Sequence, residues 1–212
     1  MRLFPTMLLA FATSLAGVAG AAAEAGKTDD FATRLFASNA SAQKQSACFM
    51  RTYDAAHLAG HPQQKVRQMM LLVSRDNGEP GEDWSGMGYQ FSVGFRMRGE
   101  STRLESGGSC TQGSVAETGE GVARLDCGVD CDGGGLSLKI NDDNKSLRVE
   151  IERIRVYKPG DFGREDEDGP VGGRGLGGGA DDRVFRLDRV SLKECLPIMS
   201  DKAQIASVKR MK

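Results

Sequence analysis

Tyr89, Phe91, Val93, Phe95 and Met97 alternate with Gln90, Ser92, Gly94, Arg96 and Arg98. A period of two with one apolar and one polar face marks a strand half buried in a sheet. Strands buried in parallel sheets read as unbroken apolar runs, so this alternation predicts antiparallel pairing. The same period returns in Leu136, Leu138 and Ile140 and in Leu147, Val149 and Ile151. Ile154 and Val156 then fall out of phase, which predicts a bulge near Glu152 and Arg153. Val66 to Val73 is an apolar run of β character, and Phe185 with Leu187 supplies the last strand, Val190 and Leu192 falling in the other phase. Residues 103–110 and 122–127 flank the turn-rich Thr118-Gly119-Glu120-Gly121 and predict a hairpin, while Asn141-Asp142-Asp143-Asn144 is a turn.

This spacing predicts an all-β fold of about seven strands, an antiparallel sandwich or a small meander barrel. One short N-terminal helix is expected between Cys48 and Pro62, capped by Thr52 and ended by Gly60 and Pro62. The β domain is bounded at 46–197. Residues 24–45 are polar apart from Phe31, Leu35 and Phe36 and read as a flexible leader. Residues 158–182 hold nine glycines and seven acidic residues and read as a mobile hairpin loop. Residues 198–212 read as a polar tail.

The first segment bears on the compartment. Arg2 precedes an apolar run from Leu3 to Val18, and Ala21-Ala22-Ala23 offers a small-residue cleavage site. These features describe a secretory signal over 1–23. The run is too diluted by Ala, Gly, Ser and Thr to span a bilayer, so no stable membrane insertion is expected after cleavage. A periplasmic or secreted protein is therefore expected. The formal net charge of −1 argues against a nucleic-acid partner, which requires a basic excess.

Five cysteines follow the signal: Cys48, Cys110, Cys127, Cys131 and Cys195. Outside the cytosol such thiols pair, and an odd count leaves one over. Cys48 opens the domain and Cys195 closes it, so a bond between them is expected. The hairpin brings Cys110 near Cys127 or Cys131 as a second pair. Spacing of these cysteines does not fit a zinc site.

The chemistry-bearing residues are few. The chain has two histidines, in Tyr53-Asp54-Ala-Ala-His57-Leu-Ala-Gly-His61-Pro62. Imidazoles four apart on a helix share a face and can chelate zinc or a similar divalent ion, with Asp54 as third ligand. Gly60 and Pro62 work against that spacing, and Leu58 stands where a zinc protease carries its Glu. The simpler expectation is that His57 packs into the domain and His61 belongs to a turn. Cys48 with His57 as a nucleophile pair is disfavoured by the expected disulfide. Gly177 to Val184 makes one imperfect copy of a calcium-binding nonapeptide that needs stacked repeats. Gly172 to Gly177 lacks the strand and helix of a dinucleotide fingerprint.

The run from Cys48 through Tyr53-Asp54-x-x-His57-Leu58-x-x-His61-Pro62-x-Gln64-x-Val66, the central Cys127-x-x-x-Cys131-Asp132-Gly133-Gly134 and the closing Asp182-x-Val-Phe185-Arg186-Leu187 resemble a group of uncharacterised small exported bacterial proteins. That resemblance implies a shared secreted domain and no activity. Ser85-Gly86-x-x-Tyr89 is similar to a short motif of periplasmic lysozyme inhibitors of the small β-barrel type. The functional expectation is a non-enzymatic exported domain, without cofactor, that binds a protein or a cell-envelope component. The alternative is a metal-dependent enzyme built on Asp54, His57 and His61.

Overall fold

The computed structural model describes residues 31–37, 44–76, 88–113, 124–129, 132–161, 164–166, 169–170, 172–177, 179 and 181–211. The expected signal over 1–23, the turn at 118–121 and Cys131 lie outside them. The fold is all-β and antiparallel. Its barrel strands are β1 (Lys44–Thr52), β2 (Val66–Asp76), β3 (Tyr89–Met97), β4 (Arg103–Gly113), β5 (Arg124–Gly128), β6 (Gly134–Ile140), β7 (Ser146–Val156) and, last in the chain, Val184–Val190. Between β7 and that last strand lie the two-residue β8 (Glu165–Asp166) and β9 (Gly169–Pro170), then β10 (Arg174–Gly177), so the last strand is β11. The sheet runs β7-β11-β1-β2-β3-β4-β5-β6 and closes by pairing β6 with β7, an eight-stranded barrel with β10 as a ninth strand on β7.

The barrel gains its eighth strand where the sequence suggests a helix. Residues 44–52 are extended, and the helix α2 is only Ala55–Gly60, capped by Asp54 rather than Thr52. The cause is two-sided burial. Ala47 and Phe49 join the barrel core while Cys48 and its neighbour Met50 face a second apolar cluster outside, so β1 shows no alternation. The unbroken run in β2 has the same origin: Met69, Leu71 and Val73 point inward, Met70 and Leu72 outward. The bulge expected near Glu152 is present, since Gly135 pairs with Arg153 but Leu136 pairs with Ile151. Gly134 at that site has φ +78° and lies so close to the Arg153 carbonyl that a Cβ would overlap it, so no other residue fits.

The C-terminal segment is not a loose tail. A 3-10 helix (Leu192–Ile198) and a terminal helix (Lys202–Arg210) lie on the outer faces of β1 and β2. Ile198, Met199 and Val208 bury against Met70 and Leu72, and the Cys48–Cys195 disulfide joins this cover to β1. Asp201 caps the terminal helix, accepting from the N–H groups of Ala203 and Gln204 at 2.8 and 3.2 Å. Those bonds, led by that from Gln204, hold its carboxyl below the usual carboxylate range. Gly94 leaves the room this cover needs, since a Cβ there would sit 2.7 Å from Ile198 Cγ2.

The leader is not loose throughout either. Residues 31–37 are helical (α1), and Phe31, Ala32, Leu35 and Phe36 are buried. Phe36 stacks on Tyr89, and Phe31 meets the same ring edge-on. This short apolar stripe plugs the barrel end that carries the β6–β7 turn. Arg189 fastens it, donating from Nη1 to Leu35 O at 2.8 Å, from Nη2 to Arg34 O at 2.9 Å and from Nε to Asn144 O at 3.1 Å. Its guanidinium also lies 4.7 Å above the Phe49 ring. Arg189→Ala is expected to cost about 2 to 3 kcal/mol, and amide exchange across 31–37 should accelerate sharply. Arg189→Lys should recover little, because one ammonium cannot fork to three carbonyls. Unchanged exchange in either variant would mean that the plug holds by packing alone.

Candidate functional site

A barrel of eight strands is wide enough to be filled by side chains or to hold one small ligand. This one is filled. Phe49, Phe95, Phe185, Met69, Leu71 and Ile151 are among the fully buried residues of a single inner core. The second disulfide, Cys110–Cys127, joins residues directly paired between β4 and β5 and belongs to that core. With one end plugged by α1, the concave surface available for a ligand is at the other end or on the outer wall.

The open end carries two adjoining concavities of about 400 and 320 Å³ that share Glu100, Leu104, Val156 and Arg174. Leu104, Val156, Leu176 and Met97 form an apolar floor. Lys65 and Arg98 line the larger concavity, Lys158 the smaller and Arg174 both. Arg174 donates from Nη2 to both oxygens of Glu100 at 2.8 Å. Arg98 spends Nη1 on the carbonyls of Leu58 and Gln64, at 3.4 and 3.3 Å, and keeps Nε and Nη2 without a partner among the described residues. Lys65 and Lys158 have no carboxylate partner among the described residues. The outer groove beside the terminal helix, also about 400 Å³, differs in that its Lys44 already pairs with Asp76 and Asp201.

Part of this rim comes from the segment expected to be a mobile loop. Within 158–182, Arg174 to Gly177 pair with Val156 to Arg153, and Leu176 is buried against the barrel end. Four residues of strand suffice because β7 offers an unpaired edge beyond the end of β11. Asp182, also in that segment, is 1 % exposed. Its oxygens accept from the N–H groups of Lys65 at 2.7 Å and Val66 at 3.2 Å, while Asp181 accepts from Gln63 N–H at 3.0 Å. These bonds fix the start of β2 and therefore one wall of the mouth. Asp182→Ala leaves two buried donors unsatisfied and is expected to cost about 2 to 4 kcal/mol. Asp182→Asn keeps one acceptor and should cost roughly half of that. Urea denaturation of the two variants measures the difference, and equal small losses would remove Asp182 from this role.

Asp54, His57 and His61 do sit together, yet not as a ligand set. Asp54 Oδ1 accepts from the His57 backbone N–H at 2.8 Å as the cap of α2. Gln64 donates to Val66 O, so its Oε1 faces His57 Nε2 at 3.0 Å and that nitrogen carries the proton. His61 Nδ1 bonds the His57 carbonyl at 2.8 Å, and the two rings stack 4.2 Å apart. No group of three His, Cys, Asp or Glu among the described residues is placed to hold a metal ion. His57 also packs on Tyr53, whose hydroxyl burial pushes up to about 12. Cys48 and Cys195 are bonded to each other, so neither is a nucleophile.

Tyr89, the described end of the Ser85-Gly86-x-x-Tyr89 motif, is buried between α1 and the barrel, and its role is packing. The mouth cations were not legible as a set, because Lys65, Arg98, Lys158 and Arg174 come from four separated stretches. Only Arg96 and Arg98, closing the alternating strand, gave a local signal. No protein-family model, curated protein or solved structure matches the chain.

Proposed function

We propose that this chain is an exported, non-catalytic binding domain that takes a protein or cell-envelope ligand at the open end of its barrel. One observation carries the reading: the interior is filled and one end plugged, while the other end is a concave, apolar-floored mouth with unpaired cations on its rim. Mouths of β-barrels are favoured places for ligand sites. Export is supported by the signal-like first 23 residues and by two disulfides, Cys48–Cys195 and Cys110–Cys127. No helix among the described residues is long and apolar enough to cross a membrane. The non-catalytic part is supported by the two histidines, whose ring nitrogens are drawn into α2 and Gln64 rather than toward the mouth.

The test combines address and contact. Non-reduced peptide mapping of the protein recovered from its host should give a chain that starts after Ala23 and carries both bridges. Photo-crosslinking residues placed at Lys158 and Gly175 should trap one species in living cells, and the same residue at Lys202, on the far cover, should not. Retention of Met1, reduced cysteines, or equal crosslinking at all three sites would sink the proposal.

A further inference from the structure

The mouth has a chemistry that narrows its ligand. Four cations, Lys65, Arg98, Lys158 and Arg174, line it, and Glu100 is the one carboxylate among its described lining residues. Asp181 and Asp182 approach the Lys65 stretch from behind, but their oxygens serve backbone N–H groups there and they do not line the mouth. Asp161 pairs with Arg164 through Oδ1 at 3.4 Å and sets its Oδ2 beside Gly172 of the lining. The other concavities have no basic excess: Lys44 and Arg75 meet Asp76 and Asp201 in the groove beside the terminal helix, and a groove of about 450 Å³ along β5, β6 and β7 sets Arg124 and Arg183 against Asp126, Glu150 and Glu152. The positive excess therefore belongs to the described lining of the open end rather than to the chain as a whole, whose formal net charge is −1.

We infer that the mouth binds a compact oxyanion of two or more charges, a phosphate monoester or a di- or tricarboxylate. This rests on the proposed binding function and adds the ligand class. Arg98 is the central contact. Its Nη1 is anchored on two backbone carbonyls, which orients the guanidinium, and its Nε and Nη2 remain to form a forked pair with an oxyanion. Arg174 is held by Glu100 through a single nitrogen and can turn its other donors to the same ligand. Lys65 and Lys158 supply point charge from the two concavities. All four cations are exposed, so their pull on an anion is screened by salt, and ionic strength sets how strongly they hold it. A space of about 400 Å³ accommodates a compact charged group, such as the phosphate or carboxylates of a cell-envelope component, rather than a folded domain.

The test titrates the full mature protein, at constant ionic strength, with inorganic phosphate, glycerol phosphate, citrate and succinate, and with spermidine as the cationic control. Amide and arginine side-chain NMR signals are the readout. Shifts confined to the signals of Lys65, Arg98, Lys158 and Arg174 and their neighbours are expected. Arg98→Gln should weaken binding about tenfold or more. Because Arg98 also supports α2, Lys65→Gln and Lys158→Gln, which break no hydrogen bond or ion pair among the described residues, provide the second measure and should each weaken binding several-fold. Binding of phosphate and glycerol phosphate alone names a phosphate ester, and binding of citrate or succinate alone names a polycarboxylate. Uniform shifts at every surface cation, or variants that titrate like the parent, overturn the inference. In-cell crosslinking from the mouth without any anion binding overturns the inference and spares the binding function. Anion binding without crosslinking at the mouth does the reverse.

Discussion

Replacing both Cys48 and Cys195 by Ala is expected to lower the stability of the mature protein by about 4 to 5 kcal/mol. The bond closes a sequence separation of 147 residues, whereas Cys110–Cys127 closes 17. Chain-entropy reasoning therefore ranks them, with the shorter loop contributing roughly 3 kcal/mol. The structure adds a second reason for the order. Cys110 and Cys127 face each other on strands that already pair, so the ladder survives without their bond. Cys195 instead sits in a 3-10 helix that touches the barrel through one apolar cluster and the bond from Arg103 Nη2 to the Pro197 carbonyl at 2.6 Å, and the staple joins it to β1. In its absence the cover should loosen, leaving Met70 and Leu72 wet on a strand that stays in the barrel. Urea denaturation of the two double variants checks the ranking, and limited proteolysis should cut the first near residue 191. A larger loss for the Cys110–Cys127 pair would overturn this account of the C-terminal cover.

The Cys48–Cys195 staple was legible in the sequence, because the two domain-end cysteines are natural partners, and the second was legible only as Cys110 with Cys127 or Cys131. The antiparallel sheet was legible wherever a strand has one wet face: β3, β6 and β7 read directly from their alternation, the bulge at Glu152 included. Legibility failed where a strand is covered on both sides. In β1, Cys48 and Met50 face the C-terminal cover while Ala47 and Phe49 face the core, so the period vanishes and the stretch resembles a helix. It failed again where composition was averaged over a long segment. Leu176 disappears among the glycines and acidic residues of 158–182, and Phe31, Leu35 and Phe36 among the polar residues of 24–45, yet each anchors its segment on the barrel. The tail was missed for the same reason, since Ile205 and Val208 are sparse but aligned on one helical face. The histidine pair was visible, and its spacing suits chelation, but one nitrogen of each ring is engaged otherwise, His57 Nε2 with Gln64 and His61 Nδ1 with the His57 carbonyl. The mouth was invisible, because closure of the barrel, not any motif, gathers its four cations.

Those failures share a cause that bears on function. Both apolar stripes that the sequence hides serve to close the barrel, α1 at one end and the C-terminal cover on one wall. The opposite end, where β10 folds back along β7, carries Leu58 of α2 and Leu176 and still keeps two concavities. Surface that a small domain does not bury, while burying so much else with short segments, is where its chemistry is to be sought.

Phe95→Ala is expected to cost about 3 to 5 kcal/mol, the range for removing a large buried ring. Phe95 is 0 % exposed and lies between Met69 and Leu104 in register across three adjacent strands. Leu104 is also part of the mouth floor, so the ring supports that floor from within the barrel. Phe95→Leu should cost roughly 1 to 2 kcal/mol, since most of the volume remains. The size of the first loss also decides what kind of site the mouth is. If the interior is as tightly filled as these contacts indicate, the Ala variant leaves a dry void that cannot collapse, and the penalty is full. The mouth is then a shallow dish on a solid base, suited to a compact charged ligand held at its rim. A loss below about 1 kcal/mol, with an unchanged denaturant slope, would mean that the strands close over the missing ring or that water enters from the mouth. The open end would then be the doorway to an internal chamber, and a ligand reading built on rim charges would give way to one built on the barrel's apolar interior.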